Sequence, residues 1–60
     1  MTDLPFKVDA WVPDDSAIEQ TLAEATNLTI ARAAFRGAVA AYPDKRLTLR
    51  HLAHVIEQHP

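Results

Sequence analysis

Between Asn27 and Pro43 lies a segment that only an α-helix satisfies, and it limits what the rest of the chain can be. Leu28, Ala31, Phe35, Ala38, Val39 and Tyr42 recur at helical spacing and form one apolar stripe. Thr26 and Asn27 offer an N-cap, since a short polar side chain accepts from the unpaired N–H groups of the first turn. Pro43 stops the helix at Tyr42, because proline has no N–H to donate. A helix with one apolar stripe must bury it against another layer. The chain has 60 residues in all, so that layer is small.

A chain of this length is one domain, near the lower end of what folds alone, and buries only about 60% of the surface its unfolded form exposes. Such domains recruit a disulfide, a metal or a second chain. Cysteine is absent, which excludes disulfides and thiolate zinc sites. Self-association is then favoured by elimination. The hydrophobic fraction of 48% is that of a globular chain. No apolar run approaches the roughly 18 residues of a membrane span. Residues 1–5 read as a flexible N-terminus without a signal-peptide pattern, which points to the cytoplasm.

The net charge of −2 conceals a polarity along the chain. Lys7 stands alone against Asp3, Asp9, Asp14, Asp15, Glu19 and Glu24 in the first half. Arg32, Arg36, Lys45, Arg46 and Arg50 outnumber Asp44 and Glu57 in the second. The simplest expectation is that the halves pack together and neutralise each other. A basic half can also serve an anionic partner, although nucleic-acid binders carry a stronger basic excess.

Phe6, Val8, Ala10 and Val12 alternate with Lys7, Asp9 and Trp11, the period of a half-buried strand. Pro13-Asp14-Asp15-Ser16 follows with turn chemistry. Residues 17–25 fit two structures. Ser16 and Glu19 match a helix capping box, with Ile18, Leu22 and Ala25 at helical spacing. Ile18, Gln20, Leu22 and Glu24 equally line one side of a strand. The C-terminus is also double: Leu49, Leu52, Ala53 and Ile56 suit a helix, whereas Leu47 and Leu49 alternate with Thr48 and Arg50 as in a hairpin turning near His51-Leu52. That turn has neither Gly nor Asn.

The strings ATNLTIARAAF, AVAAYP and RLTLRHLAHVIEQHP resemble small uncharacterised bacterial proteins built strand–strand–helix–strand–strand. The resemblance spans roughly residues 18–60. It implies a helix opening after an Ala-Thr-Asn cap and a C-terminal hairpin, with Leu52 standing where glycine is expected. No function comes with it. The expected fold is therefore α+β, a four-stranded antiparallel sheet (ββαββ) with one helix packed on one face; the alternative is a small three-helix domain.

No catalytic or cofactor site emerges. Asp14 and Asp15 are adjacent, which suits backbone capping better than acid–base work across a substrate. Ser16, the one serine, lacks a nucleophile elbow, and Gly37, the one glycine, lies mid-helix, so there is no phosphate loop. His51, His54 and His59 with Glu57 read as solvated groups near a turn, with no metal expected. Lys45, Arg46, Arg50, His51 and His54 form a modest basic cluster, the basis of a nucleic-acid alternative that lacks interleaved aromatics. The reverse of the helix carries Ile30, Ala33, Ala34, Gly37, Ala40 and Ala41 where charge is the norm. Ala33, Gly37 and Ala41 at intervals of four permit close approach of another backbone, and mid-helix glycine costs about 1 kcal/mol against alanine. With Trp11, on the strand face away from the core, Ile30, Ala33, Gly37 and Ala41 form the expected association surface. The expected function is protein–protein association, as a homodimer or with another chain, without enzymatic activity.

Overall fold

A computed structural model describes residues 4–60. Its elements run β1 (Phe6–Trp11), β2 (Ile18–Ala25), α1 (Leu28–Ala41), β3 (Arg46–His51) and β4 (His54–His59). The four strands form one antiparallel sheet in the order β2-β1-β3-β4. Two hairpins thus lie side by side, their inner strands joined and their outer strands at the edges. The helix between them crosses one face, packing on β1, β2 and β3. This is the ββαββ arrangement and leaves no room for the three-helix alternative.

Residues 17–25 and the C-terminal segment, each open to two readings, are strands. Both carry bulges. In β2, Val8 pairs with Ala23 and Asp9 with Thr21, which leaves Leu22 over; Ala10 pairs with Gln20 and Trp11 with Ile18, which leaves Glu19 over. In β4, Leu49 pairs with Glu57 and Arg50 with Val55, which leaves Ile56 over. A bulge residue is free to lean into the core beside its neighbour, and Leu22, Ala23 and Ile56 all pack there.

The core is Val8, Ala10, Ala25, Ala31, Phe35, Ala38, Leu47 and Leu49. Half of it is alanine, which lets α1 lie close to the sheet and leaves Phe35 as its largest side chain. The helix begins as its sequence requires: the Asn27 side chain accepts from Ile30 N–H at 2.9 Å. Its end differs. Tyr42 is the C-cap, outside the last helical turn, and its side chain is exposed where the stripe placed it inward.

The expectation of a flexible stretch over residues 1–5 falls in part on residues 1–3, outside the described residues. Pro5 is tied down, its carbonyl accepting from Leu52 N–H at 3.2 Å.

Candidate functional site

The fold gives the molecule two broad surfaces, the outer side of α1 and the uncovered face of the sheet. They differ in chemistry.

On α1, Ile30, Ala33, Gly37 and Ala41 are all exposed, Ile30 at 54%. A Cβ built on Gly37 meets nothing within 4 Å, so among the described residues no other element approaches that position. Ala34 departs from the reverse face and packs against the core.

Trp11, expected on the same association surface, lies on the other side of the sheet. Its indole N–H donates to Thr48 Oγ1 at 2.8 Å, so the ring is anchored across β3. Beside it lies the feature that strand alternation did not reveal. Asp9 faces away from the helix, as its place in the pattern requires, yet its exposure is 0%. Its carboxylate accepts from Thr21 Oγ1 at 2.7 Å and from Arg50 Nε, while Arg50 Nη1 donates to the Leu52 carbonyl at 2.7 Å. β1 thus holds a buried anion satisfied by a neighbour on each side. Among the described residues no buried side-chain nitrogen or oxygen lacks a hydrogen-bond partner.

The acidic and basic halves neutralise each other across this fold. Lys45 pairs with Glu19 at 3.4 Å, Arg46 with Asp15 at 3.2 Å and Arg50 with Asp9. Arg46 also donates to Gln58 Oε1 at 3.0 Å and to the Pro60 carbonyl at 3.3 Å. The proposed basic cluster is accordingly divided. Lys45 and Arg46 lie at the start of β3, and Arg50, His51 and His54 at its far end, about 13 Å away at ordinary strand rise.

A cleft of about 460 Å³ opens beside the first group, between Trp11, Pro13, Asp15 and Pro60, and its two cations are already engaged by carboxylates. The adjoining turn is locally determined. Asp14 Oδ1 accepts from Ser16 N–H at 3.0 Å. The Ser16 hydroxyl, then its N–H, hold the Asp14 carboxyl below the ordinary value of 3.8. A depressed carboxylate stabilises the fold when ionised, so this contribution is complete above its unfolded pKa and fades as pH falls through the lower folded value. Asp15 takes the next step with φ 61°, a left-handed conformation that aspartate tolerates.

No group of three or more His, Asp or Glu side chains among the described residues converges as a metal site. Among the described residues no helix is long and apolar enough to cross a membrane. Comparison with protein families, curated proteins and solved structures finds no match.

Proposed function

We propose that this domain works by protein–protein association, as a homodimer formed through the outer face of α1. The observation that supports this reading is the exposed, uncharged stripe Ile30-Ala33-Gly37-Ala41, open to solvent along its length. The sheet's free face is the weaker candidate, because Asp9, Arg46 and Arg50 on it are already engaged in ion pairs within the chain. Helices whose contact residues are this small can approach at the short end of the usual 8–10 Å range. α1 is about 21 Å long at 1.5 Å per residue. An interface of that length is at the small end of the specific class, below about 1,200 Å², so the dimer is weak and exchanging.

The nucleic-acid alternative draws less support. Lys45, Arg46 and Arg50 each hold a carboxylate, and phosphate binding would have to break those pairs.

Sedimentation equilibrium tests the proposal. The wild-type chain is expected to associate at high micromolar concentration, and Gly37→Leu to remain monomeric. The same substitution should raise the monomer's helix stability, since leucine is the better helix former and its Cβ meets no neighbour. A wild-type chain that stays monomeric rules the homodimer out. Association that survives Gly37→Leu moves the interface elsewhere, first to the sheet face bearing Trp11.

A further inference from the structure

The C-terminal hairpin sets two imidazoles opposite each other. His51 and His54 are register partners, the last pair before the two-residue turn of Leu52 and Ala53. Directly opposed residues of an antiparallel pair project from the same face with Cβ atoms about 4.5–5.5 Å apart. That separation lets two imidazoles converge on one cation at the usual ~2.0–2.1 Å nitrogen–metal distance.

His51 and the turn beside it are tied down at three points. The His51 ring stacks on Phe6, centroids 4.7 Å apart and planes at 28°, which limits its rotamers. Leu52 N–H bonds the Pro5 carbonyl, and Arg50 Nη1 bonds the Leu52 carbonyl. The turn therefore cannot splay without losing both. Both histidines are exposed, so among the described residues no element covers them. The other candidate ligands are engaged elsewhere. His59 lies at the opposite end of the strand with a ring nitrogen 2.8 Å from the Pro43 carbonyl, and Glu57 meets Arg32 at 3.1 Å.

We propose that His51 and His54 form a two-point chelate for a borderline divalent ion of the Zn²⁺, Ni²⁺ or Cu²⁺ type. Paired imidazoles suit these ions, whereas Mg²⁺ and Ca²⁺ require oxygen ligands. No third ligand converges from the described residues, which leaves the remaining positions open to water or a further donor. The site is an open one and does not determine whether the chain folds. It is also independent of the homodimer.

Thermal unfolding of the full chain near pH 7.5, with ZnCl₂, NiCl₂ or MgCl₂ up to about 1 mM, provides the test. The midpoint is expected to rise saturably with zinc and nickel and not with magnesium. His51→Ala and His54→Ala should each weaken the effect at least tenfold, while His59→Ala leaves it intact. In wild-type NMR spectra the His51 and His54 imidazole resonances should respond together to zinc, and those of His59 should not. Should an alanine variant fail to fold, His54→Gln on the exposed edge strand replaces it, with the same tenfold expectation. The proposal is overturned by an unmoved wild-type midpoint, by a rise with magnesium equal to that with zinc, or by less than tenfold weakening in either single variant. Loss of the effect in His59→Ala overturns it as well.

Discussion

Asp9 shows what a single residue contributes that a pattern cannot. Alternation puts it on the face away from the helix, where an aspartate is ordinarily solvated. It is buried because Arg50 reaches it from 41 residues further along the chain and Thr21 from 12 residues away. Neither neighbour can be found without the strand register, so the sequence carries no local trace of the contact. Removing one partner of a buried ion pair leaves an uncompensated charge, at a cost of about 3–5 kcal/mol. Arg50→Met is expected to cost that much in urea unfolding followed by Trp11 fluorescence. Asp9→Leu/Arg50→Met together should cost well under the sum of the single changes. An Arg50→Met chain as stable as wild type would mean that water reaches the Asp9 carboxylate.

At the level of elements, legibility tracked regularity. β1 alternates without interruption, and α1 has one stripe, a cap and a terminating proline; both were readable in the sequence. β2 and β4 were ambiguous because Glu19, Leu22 and Ile56 are bulge residues, and each bulge shifts the facing of the residues beyond it by one. The second hairpin was harder still, for its turn has no residue that favours the conformation it adopts. Leu52 sits at φ 55° with 67% of its surface exposed. A left-handed conformation costs a residue with a Cβ about 1–2 kcal/mol, and glycine loses about 0.5–1 kcal/mol of that advantage through chain entropy. Leu52→Gly should therefore stabilise the domain by roughly 0.5–1 kcal/mol and raise its thermal midpoint. A lowered midpoint would show that the exposed leucine makes a contact worth more than its backbone strain.

For the whole molecule, the limiting quantity is the size of the core. With four alanines among the eight apolar residues buried in the described part of the chain, much of the packing rests on Phe35, Leu47 and Leu49. Phe35→Ala should cost about 3–5 kcal/mol, comparable with the entire stability of a domain this small. Loss of the cooperative thermal transition in circular dichroism is the expected result; an unchanged transition would place the wrong helix face inward. The seam between the hairpins, from Phe6 opposite His51 to Trp11 opposite Arg46, has a further consequence for biosynthesis. β2 becomes available to β1 soon after β1 emerges, but β3 begins only about 20 residues after β2 ends, about 1–4 s at ordinary elongation rates. For that interval the first hairpin presents β1 as a bare edge, the situation in which nascent strands pair with the wrong neighbour. Lys7 and Asp9 then act as charged guards along that edge, until Arg50 arrives and the same aspartate is sealed inside.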